Sequence, residues 1–281
     1  MSIAIAPGLY DAVDFEDYAS IDAYNGSSIV HMERSPLHYR WAKDHPEPPT
    51  PAMILGTITH RMILEPDRVG DFVVWGEKPE QKVRLGKVWD AFKYEHQGKL
   101  IITKKERDAM VGIATSVRRN PSVSKLLKDG RSELSMVWKD NEFGCLCKGR
   151  VDYLRADPLI LDLKTTTDAR PFKFGNQAFR LGYHIKLAMY QDGYHALTGE
   201  LAPVKIIAVE NKPPYDSAVY FVPSDVLQQG FEDYLRLMRR IRECEEAGCW
   251  PGAVDGEAEL SLPTYAYSEA SDDLSDLELV S

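Results

Sequence analysis

Two aspartates and a lysine in one short stretch carry the first chemical signal. "KGRVDYLRADPLILDLKTT" (Lys148 to Thr166) reads as two strands joined by a turn at Asp157-Pro158. An antiparallel hairpin centred near Asp157 sets Asp152 opposite Asp162, Leu154 opposite Ile160 and Arg150 opposite Lys164. Side chains alternate along a strand, so Asp152, Asp162 and Lys164 share one face, while Val151, Tyr153, Leu161 and Leu163 point to the other. Carboxylates opposed at roughly 5 Å would repel by about 3 kcal/mol at an effective dielectric of about 20, unless something positive lies between them. A divalent cation is one answer. Hard oxygen ligands suit Mg²⁺ or Mn²⁺, and Mg²⁺ takes one or two protein carboxylates and keeps its waters. Water on such an ion, beside Lys164, would be a nucleophile next to a charge that offsets what develops on an attacked phosphate. The other answer is a surface ladder in which Arg150 and Lys164 neutralise the aspartates. A one-residue slip of register would separate the pair altogether.

The elements that have to position these groups are legible in outline. "ELSMVWKD" (Glu133 to Asp140) and a turn at Asn141 to Gly144 precede the hairpin, giving a three-strand antiparallel meander. A helix from about Tyr183 to Leu197, strands at "VKIIAVEN" and "AVYFVP", and an amphipathic helix from Ser224 to Cys244 follow. The fold class expected is α/β (α+β), a central mixed sheet flanked by helices, with a helical N-terminal region. In that region "NGSSIVHMERSPLHYRWAKD" gives two short helices, the first capped at Asn25 or Ser27 and broken at Pro36. "AMILGTITHRMILEP" gives a longer helix stopped at Pro66, on which Gly56, Thr57 and Thr59 keep one side slim. Residues 79–129 read as helical, with a break near Gly98 and a helix from Lys104 to Arg119. The organisation expected is one domain over 1–267, its helical part at about 20–130 and its core at about 131–250, followed by an acidic tail over 268–281.

Composition narrows the function classes. The chain has 281 residues, 44% hydrophobic and 27% charged, which excludes a wholly disordered, collagenous or coiled-coil protein. No window approaches about 18 uninterrupted apolar residues, so no membrane span is expected. The N-terminus lacks a basic stretch and a long apolar run, and the expectation is a cytoplasmic protein. Cys145, Cys147, Cys244 and Cys249 are too few for a disulfide scaffold, and their spacing does not suit the four thiolates of an iron–sulfur cluster, so none is expected. The net charge of −9 hides an asymmetry. From Glu243 to Ser281 there are eleven acidic residues and no Lys or Arg, whereas Lys78 to Arg131 holds fourteen Lys/Arg against six Asp/Glu. A polyanion could bind that basic stretch; a solvated helical face is the alternative.

"KGRVDYLRADPLILDLKTTTDARPF" followed by "LGYHIKLAMYQDGY" resembles the PD-(D/E)xK nucleases, specifically the exonuclease VIII (RecE-like) branch of phages and prophages. "GTITHRMILEP" resembles that branch's G-T-x-x-H element, "CWPG" also fits, and the similarity runs from about residue 24 to about residue 267. The resemblance implies a restriction-endonuclease-like core. It makes Asp152 and Asp162 metal-binding carboxylates, with the Leu163 backbone carbonyl as a further ligand and His60 completing the site. Lys164 would position or activate the attacking water. Glu133 is either an outer-shell carboxylate or an exposed strand end. The branch's Q-x-x-x-Y element is here Lys186 and Tyr190, four apart on one helical face, so a point charge replaces an amide. Tyr183, His184 and Thr165 are possible DNA contacts.

The activity implied is Mg²⁺-dependent hydrolysis of linear double-stranded DNA, with Mn²⁺ substituting and 5′ to 3′ polarity by family analogy. Double-stranded DNA ends, a single-strand annealing recombination protein and a homo-oligomeric ring are the partners implied, in a bacterial cell carrying the phage or prophage. Two other readings stay open: a Cas4/RecB-like nuclease of other polarity, and a DNA-binding or assembly protein that has lost turnover, which Lys186 suggests.

Overall fold

Along the chain run β1 (Gly8–Tyr10), α1 (Phe15–Ser20), α2 (Gly26–Ile29), a 3₁₀ turn (Val30–Glu33), α3 (Pro36–Asp44), α4 (Pro51–Leu64), β2 (Phe72–Trp75), α5 (Gly86–Glu95), β3 (Leu100–Thr103), α6 (Lys104–Arg119), α7 (Pro121–Leu126), β4 (Gly130–Lys139), β5 (Leu146–Arg155), β6 (Ile160–Thr166), α8 (Pro171–Arg180), α9 (Tyr183–Thr198), β7 (Val204–Glu210), β8 (Ser217–Val222) and α10 (Ser224–Ala247). The computed structural model describes residues 5–11, 13–46, 50–65, 72–81 and 83–262. The acidic tail at 268–281 lies outside them, as do Pro66 and Lys82.

Six strands form one sheet in the order β1-β4-β5-β6-β7-β8, antiparallel except for the parallel β6–β7 pair. The expected mixed sheet is therefore the observed one. Helices α2, α9 and α10 cover one face through a core that includes Ile29, Trp138, Ile185, Met189, Tyr234 and Met238. On the other face Ile63 of α4, Ile113 and Val117 of α6 and Val123 of α7 pack on Tyr153, Leu161, Leu163 and Ile207. The sheet is thus buried between two layers of helices, and a charged group on its central strands has to be satisfied from within.

Local chemistry fixes the helix starts. The Asn25 side chain accepts the Ser28 N–H, Ser35 caps α3 just before Pro36, and Thr103 and Glu106 form a reciprocal capping box at α6. Helix α1 ends on a side chain from the sheet. The Lys148 ammonium donates to the carbonyls of Tyr18, Ala19 and Ile21 at 2.8, 3.0 and 2.7 Å, placing a positive charge on the oxygens at the helix end and in the turn after it.

Residues 79–129 are not helical throughout. Strands β2 and β3 pair in parallel as a separate ribbon, and the apolar runs "FVVW" and "LIIT" are too short to show a period. Helix α8 was also not expected: it fits into the β6–β7 crossover, where Pro171 occupies the first helical turn. Gly56 does not serve close packing as its slimness suggested, since a Cβ there would meet nothing within 4 Å.

Close packing is instead decided at Gly230, where α10 crosses α9. A Cβ on Gly230 would lie 2.2 Å from the His184 carbonyl oxygen. Backbone cannot yield as a side-chain tip does, so Gly230→Ala should lower stability by about 2–3 kcal/mol and the melting temperature by about 5–10 °C. Thermal unfolding followed by circular dichroism checks this; a shift below about 1 °C would show that the helices separate freely.

Candidate active site

Strands β5 and β6 pair through Tyr153↔Leu161 and Leu154↔Ile160, the register set by the Asp157-Pro158 turn. The ladder stops one residue short of Asp152 and Asp162. Continued, it would bring the Leu163 N–H to Val151; instead that N–H donates to the Asp152 carboxylate at 2.6 Å. A strand residue's N–H and C=O point to the same edge, so the Leu163 carbonyl also opens into the gap. The site lies where two central strands part, lined by groups the sheet no longer uses.

Asp152 has neighbours on both sides. Across β4, the pairs Ser132↔Tyr153 and Leu134↔Val151 bracket Glu133, which stands opposite Asp152 with φ of +49°. A left-handed conformation is uncommon for glutamate and costs about 1–2 kcal/mol; such strain concentrates at functional sites. Glu133 is therefore not an exposed strand end, because β4 begins three residues earlier. From α4, His60 brings Nδ1 to 3.7 Å from Asp152 Oδ2. Ligand-type atoms of His60, Glu133 and Asp152 all lie within 4.8 Å of one another.

Asp162 faces a different set. It is 1% exposed, and among the described residues its oxygens are met by two lysine ammonium groups. Lys164 pairs with its Oδ2, and Lys186 of α9 holds Nζ 4.0 Å from its Oδ1. The two ammonium groups lie over aromatic rings, Lys164 at 5.2 Å from the Tyr183 centroid and Lys186 at 5.3 Å from that of Tyr190.

Burial and charge shift the ionisable groups in consistent directions. For Asp152 burial opposes ionisation, but His60, Lys164, Lys186 and the Leu163 N–H outweigh it and hold its carboxyl below the usual range. Burial, then the Asp152 charge, pushes Glu133 up to about 7. Burial lowers His60 despite the attraction of Asp152, leaving a neutral imidazole able to donate a lone pair. Lys186 is held above the ordinary lysine range: burial works against its charge, and Asp162 and Asp152 outweigh burial.

Several expected site residues stand elsewhere. Arg150 does not ladder with Lys164; its guanidinium donates to Ser135 Oγ and the Val13 carbonyl and lies 4.5 Å over Tyr18. The Arg150 half of the salt-bridge ladder is therefore absent, while its Lys164–Asp162 pair is present. Tyr190 is 4% exposed with its ring on Gly149, so it supports Lys186 from beneath and cannot meet DNA in this conformation. His184 stacks on Phe179 and sits 3.3 Å from Asp233, lining a cleft of about 640 Å³ that includes none of Asp152, Asp162 or Lys164. Strand alternation turns Thr165 to the face opposite Lys164. Gln191 spends its amide on the Ala202 carbonyl. The direct place of Glu133 was available from sequence, since centring the first hairpin on Asn141–Gly144 sets it opposite Asp152.

A cluster of two carboxylates and an imidazole, beside a further buried aspartate, fits a hard divalent cation. The family described as "PDDEXK-like domain of unknown function (DUF3799)" matches residues 26–261. The chain belongs to this family. Its fold is that of the PD-(D/E)xK nucleases. The DUF3799 chain is similar to a crystal structure from Eubacterium rectale named "Putative exonuclease", with a TM-score of 0.63 and 15% identity over 92% of this chain and 98% of that one. A second solved structure, SSO0001, has 14% identity over 74% of this chain and 98% of its own, at a TM-score of 0.30 that is too low to bear on the fold. No curated protein matches significantly. Among the described residues no helix is long and apolar enough to cross a membrane.

Proposed function

We propose that this DUF3799 chain is a divalent-metal-dependent deoxyribonuclease that digests linear double-stranded DNA from its ends, with residues 1–267 acting as one nuclease domain. The observation that carries this reading is the parted β5–β6 pair, which sets the His60–Glu133–Asp152 cluster beside the Asp162–Lys164 pair. His60, Asp152 and Asp162, with the Leu163 carbonyl, are the proposed holders of Mg²⁺ or Mn²⁺, and Glu133 joins them once deprotonated. When bound, the ion supplies an acidified water and neutralises charge on the attacked phosphate. Lys164 holds its ammonium at the gap, where it orients that water and faces the phosphate. Asp162 holds Lys164 in place by pairing with it.

Substrate is drawn in by charge rather than by base sequence. Lys104, Lys105, Arg118, Arg119, Lys125 and Lys128 are all exposed on and around α6 and α7. Phosphate contacts of this kind position DNA without reading it, and log affinity should fall linearly with log salt, by about 0.9 for each phosphate neutralised. End dependence, 5′ to 3′ polarity, a ring assembly and an annealing partner in phage-type recombination rest on the exonuclease VIII resemblance. The name of the Eubacterium rectale structure agrees with the exonuclease part.

The decisive assay is digestion of end-labelled linear duplex with Mg²⁺, with Mn²⁺ and with EDTA, alongside closed circular duplex. Metal-dependent loss of the linear form alone is expected. Cleavage of the circle would make the enzyme an endonuclease, and binding without hydrolysis under either ion would leave an assembly protein.

A further inference from the structure

Lys186 is the residue at which the chain departs from the Q-x-x-x-Y element of the nucleases it resembles, and its ammonium has two fixed neighbours. Its stem lies against the backbone of α2: a Cβ on Gly26 would come within 3.1 Å of Lys186 Cα and 3.2 Å of its Cγ. A side chain at 26 would press on that stem. Its ammonium is then fixed between the Tyr190 ring and Asp162 Oδ1, at 5.3 and 4.0 Å. The side chain as a whole retains 22% exposure.

The consequence falls on Asp162. Among the described residues this buried carboxylate has one ammonium group for each oxygen, Lys164 at Oδ2 and Lys186 at Oδ1. A glutamine at 186 would be neutral and would leave Oδ1 without a cation. An additional divalent ion on Asp162 would have to approach a fixed positive charge a few ångströms away, and like charges at that range repel strongly where water is scarce. The three residues whose ligand atoms cluster, His60, Glu133 and Asp152, do not include Asp162.

Resting on the nuclease reading above, we propose that Lys186 is a built-in cation that takes the role of a second divalent ion. The centre then binds one divalent ion tightly, and the Lys186 ammonium supplies the other positive charge to a phosphate oxygen of bound DNA. Asp162 then serves that one ion and also holds the two lysines beside it.

The test is the uptake of Mn²⁺ by the full chain, read from the electron paramagnetic resonance of free Mn²⁺. It compares wild type with Lys186→Gln, Lys186→Met and Lys186→Arg, each shown by circular dichroism to be folded. One tight equivalent is expected for wild type and Lys186→Arg, and two for the uncharged variants. In EDTA, affinity of the uncharged variants for a short blunt duplex should fall about 3–10-fold, with the salt slope reduced by about 1. Two tight equivalents in wild type, or an unchanged stoichiometry in both uncharged variants, would overturn the proposal. Because metal uptake is read without turnover, a wild type that binds one Mn²⁺ and cleaves no DNA defeats the nuclease reading separately.

Discussion

Lys164→Ala leaves a folded protein that still binds linear duplex but hydrolyses it about 100–1000-fold more slowly, the usual effect of removing one preorganised charge from a developing phosphoryl charge. The expectation follows from position. Lys164 is paired with Asp162 on the strand that lines the gap, its side chain is 14% exposed, and the Tyr183 ring sits beneath its ammonium. Lys186 cannot stand in for it, because it reaches the other oxygen of Asp162 from a different element. Loss of the pair also leaves Asp162 less well compensated, so Lys164→Met, which keeps the stem, serves as the companion variant. Single-turnover digestion gives the rate, and duplex affinity in Ca²⁺ gives binding. Rates within about threefold of wild type for both variants would remove Lys164 from the chemistry.

Asp152→Asn should have the larger effect on metal. Asparagine keeps an oxygen that can accept the Leu163 N–H, so the parting of β5 and β6 survives, but the negative charge between His60 and Glu133 is gone. Affinity for Mn²⁺ is expected to fall at least about 100-fold, equivalent to about 3 kcal/mol, and hydrolysis at least about 1000-fold. Titration of Mn²⁺ and digestion at saturating metal separate the two losses. Affinity within about threefold of wild type would mean that the ion sits elsewhere. The contrast with Lys164→Ala is informative: one variant loses the ion, the other keeps it and loses the rate.

Much of this was readable along the chain because hairpins are local. The Asp-Pro turn and strict alternation set Asp152, Asp162 and Lys164 on one face, and the strand pairing bears the register out. The same arithmetic applied to the preceding turn would have placed Glu133 against Asp152. Four of the elements missed have a plain physical reason. Strand β1 is three residues long and exists only by pairing with β4. Strands β2 and β3 carry unbroken apolar runs that show neither helical nor strand period. Helix α8 is ten residues inside a crossover.

The residues expected to contact DNA were the least readable part. Tyr190 and His184 sit on a helix with an acceptable spacing, yet one is buried under Lys186 and the other is paired with Asp233 of α10. Spacing fixes which residues share a helical face; it does not fix the rotation of that face about the helix axis, which packing against Gly149 and Gly230 decides.

The amino-acid sequence by itself determined the strand meander, the opposed aspartates and the lysine beside them, because turn chemistry and alternation act over a dozen residues. Only the tertiary structure decided that His60 from α4 joins Asp152 and Glu133, that Arg150 turns away toward Val13 and Ser135, and that Lys186 from α9 comes to rest on Asp162. Those approaches join parts of the chain far apart in sequence. They are set by how two layers of helices bury the faces of one sheet, a balance of shape and burial that no local pattern encodes.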